Sequence, residues 1–97
     1  MDDQLLDDLA ELAEVLRPHE PGAAAFLRTH HERLAQARTR PERRRELRSL
    51  LGLFRGAAGS FNDLSLHDHG NLLPENARME ELRAAVARQA REELDQR

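Results

Sequence analysis

The chain has 97 residues, a formal net charge of −3 and no cysteine. That length accommodates one hydrophobic core and excludes two. The missing cysteines exclude disulfides, thiolate metal sites and a cysteine nucleophile, and the acidic balance argues against a general nucleic-acid binder, which carries a basic excess. Hydrophobic residues make up 39% of the chain, chiefly Leu and Ala, and the aromatics are Phe26, Phe54 and Phe61. Such a core suits close helix–helix packing. Every basic residue is Arg, a bias spread over the whole chain that fits the GC-rich codons of a bacterium and selects no site. No apolar run approaches the roughly 18 residues that span a bilayer. The acidic N-terminus is the opposite of a secretory leader, so the cytoplasm is the expected location.

Residues 3–17 are expected to form the first helix, since Leu5, Leu9, Leu12 and Leu16 recur at the helical period, widened by Leu6, Ala13 and Val15. Asp2, Asp3, Asp7 and Asp8 lie toward the positive end of its dipole and Arg17 at the negative end. Pro18 is expected to stop it by disfavouring α conformation in Arg17. The second helix begins near Pro21, a good first-turn residue, and runs to about Arg38. Its inward stripe is Ala23, Leu27, His30, Leu34 and Ala37, with Phe26 beside it. Thr39 and Glu42 form a capping box at the start of the third helix, whose apolar face is Leu47, Leu50, Leu51 and Phe54. Gly52 interrupts that helix, and close approach of a neighbouring backbone is the expected reason.

Residues 56–73 break the helical period. Gly56 or Gly59 can end the third helix, and the run from Asn62 to His67 alternates with a partial period of two. Asp68-His69-Gly70-Asn71 has turn composition. Pro74 then opens a last helix to about Asp95, with Met79, Leu82, Val86 and Leu94 as its core line and Ala85 and Ala90 alongside. The expected fold is mainly α: a compact four-helix domain over residues 1–97 with a short β-hairpin or extended loop between helices 3 and 4.

Gly59-Ser60-Phe61-Asn62-Asp63-Leu64, followed by a short extended run, a turn and Leu72-Leu73-Pro74-Glu75-Asn76, carries a resemblance. It resembles a family of small bacterial proteins of unknown function with a pattern like Gly-Gly-Met-Gly-Ser-Phe-Asn-Asp-Leu before a C-terminal helix. Gly56-Ala57-Ala58-Gly59 stands here where that pattern has Gly-Gly-Met-Gly, and the likeness covers about residues 47–90. It implies a fold and a lineage. By analogy, small helical bacterial proteins of this kind often serve as immunity proteins of toxin systems.

Four features compete as sites. Ser60-Phe61-Asn62-Asp63 reads first as a loop in which Phe61 plugs the core and the polar side chains satisfy backbone groups, and second as a recognition loop. His67 and His69, near Asp63 and Asp68, offer two ligands where a structural metal site usually takes four, so no metal or other cofactor is expected. His30 and His31 project about 100° apart on a helix, and His30 reads as a satisfied, half-buried core residue. Arg38, Arg40, Arg43, Arg44, Arg45 and Arg48 form a basic cluster that can face solvent, pair with the acidic first helix, or bind a partner. The first 16 residues carry six acids and no base, which suits either helix-dipole stabilisation or mimicry of phosphates in the basic cleft of a nuclease.

There is no Gly-rich phosphate loop and no Gly-x-Ser-x-Gly elbow, so an enzyme is not expected. The reading favoured is a protein-binding module, most concretely an immunity-type inhibitor of a bacterial toxin, contacting its partner through Asp3, Asp7, Asp8, Glu11, Asn62 and Asp63. The alternative is a regulatory nucleic-acid-binding module using Arg40, Arg43, Arg44 and Arg48. A third reading is an assembly subunit that forms a homodimer through exposed leucines. No membrane partner is expected.

Overall fold

A computed structural model of the protein describes residues 3–53, 67–68 and 71–96. Among these residues the fold is mainly helical, with α1 (Gln4–Leu16), α2 (Pro21–Gln36), α3 (Arg40–Leu53) and α4 (Glu75–Asp95). Between α3 and α4 lie β1 (His67–Asp68) and β2 (Asn71–Leu72), paired antiparallel with His67 opposite Leu72 and Asp68 opposite Asn71. The rest of the hairpin or loop expected there, with the motif from Gly59 to Leu64, lies outside the described residues. Each helix packs on its neighbours in chain order, and α4 closes the ring by packing on α1.

The helix ends show which local signals operate. Asp3 caps α1, its Oδ1 accepting from the Leu6 N–H at 3.3 Å. At the other end Arg17 stays in the α region (φ −51°, ψ −46°), so Pro18 does not redirect the residue before it as expected. Pro18 acts instead by lacking an N–H to continue the ladder. The N–H groups of His19 and Glu20 then fold back onto the Leu16 carbonyl, at 3.0 and 2.6 Å. Pro21 occupies the first turn of α2. At the start of α3 the Thr39 hydroxyl accepts from the Glu42 N–H at 3.2 Å, and the Glu42 carboxylate reaches back to the Arg38 N–H at 3.0 Å. The capping box therefore closes one residue earlier than the Thr39 N–H expected for it.

Leucines from every helix meet in one interior: Leu9, Leu12 and Leu16 of α1, Leu27 and Leu34 of α2, Leu47 and Leu50 of α3, with Met79, Leu82 and Val86 of α4, all fully buried. Each is worth about 1.5–3 kcal/mol of transfer free energy. Burial on α2 selects Ala24 rather than Ala23, and Leu94 of α4 is only partly covered. Phe26, beside that stripe, turns outward and is 55% exposed. One expectation for α2 needs correction: His30 is buried, and its Nδ1 has no partner among the described residues, where a half-buried, satisfied residue is expected.

Gly52 is corrected too. It is exposed, and a Cβ placed there meets nothing within 4 Å, so no neighbouring backbone among the described residues requires the glycine. Gly52→Ala is expected to raise the unfolding free energy by about 0.5 kcal/mol through helix propensity alone. The check is the urea midpoint, which should rise at unchanged slope; a lower midpoint contradicts the open surroundings.

Candidate functional site

The charged residues singled out in the sequence converge where the start of α1, the start of α3 and the end of α4 meet. Arg43 lies at the centre, with 27% of its side chain exposed. Its Nη1 donates to Asp3 Oδ2 at 3.0 Å, its Nη2 to Glu93 Oε1 at 2.9 Å, and its Nε to Glu93 Oε2. The forked guanidinium thus takes Glu93 through both oxygens, the geometry that makes arginine–carboxylate pairs strong. Its pKa is pushed further above the ordinary guanidinium value, chiefly by the hydrogen bonds to Glu93; burial opposes this and Asp3 adds to it. Asp3 serves two elements, capping α1 with one oxygen and receiving Arg43 with the other.

Arg40 and Arg44 flank this pair and address the backbone. Arg40 Nη2 donates to the Gln96 carbonyl at 3.0 Å, and Arg44 donates to the Leu94 carbonyl at 2.9 Å and to Gln96 at 3.3 Å. The last carbonyls of a helix have no partner within it, and its C-terminus carries partial negative charge, so cations there are doubly favoured. Asp3, Thr39, Arg40, Arg43, Glu93 and Gln96 line one open groove at this junction. Three of the four arginines assigned to nucleic acid are therefore engaged inside the molecule. Arg48 is the exception: it is exposed on α3 and has no ion-pair partner among the described residues.

The acidic residues of α1 find partners mostly on α4. Glu11 accepts from Arg78 of α4 through both oxygens, at 2.6 and 2.8 Å, and Arg78 also reaches Glu81 at 3.0 Å. That hydrogen bonding holds the Glu11 carboxyl below its usual range. Both side chains are close to half exposed, so the pair orients α4 on α1 more than it stabilises. Asp8 accepts from Gln89 at 2.7 Å and from Gln4 at 2.8 Å. Asp7 remains exposed on the outer face, with no side-chain partner among the described residues. Sequence reasoning missed Arg78, Gln89 and Glu93. Each is one of many charged or polar residues on an amphipathic helix, and the contacts join positions 40 to 81 apart. Asn62, Asp63 and His69 lie outside the described residues.

Among the described residues no group of three or more His, Asp or Glu is placed to hold a metal ion, and no helix is long and apolar enough to cross a membrane.

Arg43→Met keeps the aliphatic stem and removes the fork. It is expected to destabilise the fold by about 1.5–3 kcal/mol, the usual range for hydrogen bonds to charged groups. Arg48→Met should stay within about 0.5 kcal/mol of the parent, as exposed substitutions do. Urea unfolding of the two variants side by side measures the difference, and equal costs would show that the clamp contributes nothing.

No curated protein and no solved structure matches the chain. A family model matches residues 21–74, which take in α2, α3 and both short strands and make up more than half of the 97 residues. The protein accordingly belongs to the family described as Domain of unknown function (DUF6966).

Proposed function

We propose that this protein is a non-enzymatic protein-binding module, most concretely an immunity-type inhibitor of a bacterial toxin that works in the cytoplasm. One observation carries the choice over nucleic acid: Arg40, Arg43 and Arg44 donate to groups of their own chain. Contacting phosphates with them means giving up Glu93, Asp3 and the carbonyls that end α4. Of the four arginines assigned to nucleic acid, Arg48 alone is left uncommitted, and one phosphate contact supports only a shallow salt dependence, a slope of about 1 in log affinity against log salt.

Supporting the protein-binding reading is what stands open instead. Phe26 is the large apolar side chain exposed among the described residues, and buried aromatic anchors dominate the energetics of protein interfaces. Asp7 has no side-chain partner among the described residues, and charge at an interface rim speeds association and selects partners. Small size and the likeness to small bacterial proteins of the Gly-Ser-Phe-Asn-Asp-Leu type agree with an inhibitor. That last step is analogy from fold and lineage.

The test is affinity capture from the native host with the tagged protein, alongside Phe26→Glu and Asp7→Arg. Recovery of a toxin domain by the parent, at least tenfold reduced for Phe26→Glu and more modestly for Asp7→Arg, is the expected outcome. Recovery of nucleic acid that is released steeply between 50 and 200 mM salt, and is lost in Arg48→Met, would overturn the proposal.

A further inference from the structure

His30 occupies the buried stripe of α2 without being satisfied there. The residue is 5% exposed, and its Nδ1 has no hydrogen-bond partner among the described residues. Its ring meets that of Phe26 edge-on, with centroids 5.1 Å apart and planes at 63°. Phe26 is itself 55% exposed, so one side of the imidazole is covered by a ring that also faces water. Two charges act on His30 among the described residues: Arg33 from its own helix, which repels a proton, and Glu46 from α3, which attracts one. No charge on the described residues of α1, the other helix packed on α2, acts on it.

We propose that His30 is a proton-sensitive closure of the α2–α3 face: the neutral ring seats beneath Phe26 and holds this side of the bundle shut, and protonation drives the ring from its seat. The reason lies in donor arithmetic. A neutral imidazole can present Nδ1 as a bare acceptor, which is tolerable when unpartnered; an imidazolium must place an N–H at both nitrogens. At Nδ1 that new donor finds no acceptor among the described residues, and a buried donor left unpaired is costly. Burial, the largest influence, and then Arg33 hold the His30 pKa below its ordinary value, and Glu46 only partly offsets them. The folded protein therefore takes up this proton less readily than the unfolded chain. Stability from His30 is fully present above the unfolded value of about 6.5 and falls as pH drops below it, levelling once the folded residue is also protonated. This device stands apart from any partner, since it needs only the intact fold.

The experiment compares urea unfolding of the parent and of His30→Leu between pH 5 and pH 8. The other histidines and all carboxylates are common to both proteins and cancel. The ratio of the two unfolding constants should be flat above about pH 7 and change by up to tenfold per pH unit below about 6.5, the limit for one proton. NMR titration of the parent supplies a readout that does not depend on the variant folding. The His30 ring protons should titrate with a midpoint below about 6.5, and the Phe26 ring protons should shift with them. A pH-independent ratio, a midpoint at or above 6.5, or a Phe26 signal indifferent to the titration would each overturn the proposal.

Discussion

The guanidinium of Arg43 ties three helices of this fold together at one junction. It lies at the start of α3, takes Glu93 near the end of α4 through both oxygens, and reaches Asp3 at the cap of α1. A planar cation with five donors can hold three helices at once; a lysine ammonium offers no such fork. Arg40 and Arg44 extend the same junction to the carbonyls of Leu94 and Gln96. The leucine core supplies the driving force for collapse, being non-directional and proportional to area. The arginine junction supplies what the core lacks, a directional contact that tells these helix ends which neighbours are theirs.

That arrangement changes the meaning of the composition. A run of six arginines within eleven positions, from Arg38 to Arg48, looks like a polyanion surface when read along the chain, and the acids of the first helix look like its mirror image. Folded together, part of each set answers the other or answers α4. What remains presented outward is less polarised than the linear pattern implies. It includes Phe26, an aromatic beside the buried stripe of α2.

The elements were legible because they rest on short-range rules. Leucine spacing located the helices, Pro21 marked the start of α2, and Thr39 with Glu42 marked the start of α3. What escaped depends on rotation of a helix by a few tens of degrees or on partners far along the chain. Ala23 and Ala24 lie on adjacent faces, and nothing local decides which turns inward; the same ambiguity hides the outward turn of Phe26 and the depth at which His30 sits. Glu93, Gln89 and Arg78 were invisible as partners because many residues on an amphipathic helix are chemically equivalent until the bundle closes. A glycine inside a helix invites a packing reason, yet nothing among the described residues comes within 4 Å of a Cβ at Gly52.

The ring of helices closes on itself end to end. Contacts of α1 with α2 and of α2 with α3 join neighbours in the chain, whereas α3 meets α4 across as many as 50 residues, at Arg43 and Glu93, and α4 meets α1 across as many as 81, at Asp8 and Gln89. The entropy of closing a loop grows with its length, though slowly, so the union of α4 with α1 carries the largest closure cost of the four. Were α4 undocked, part of the apolar flank of α1 would be uncovered, and contiguous exposed apolar surface is where chains stick to one another.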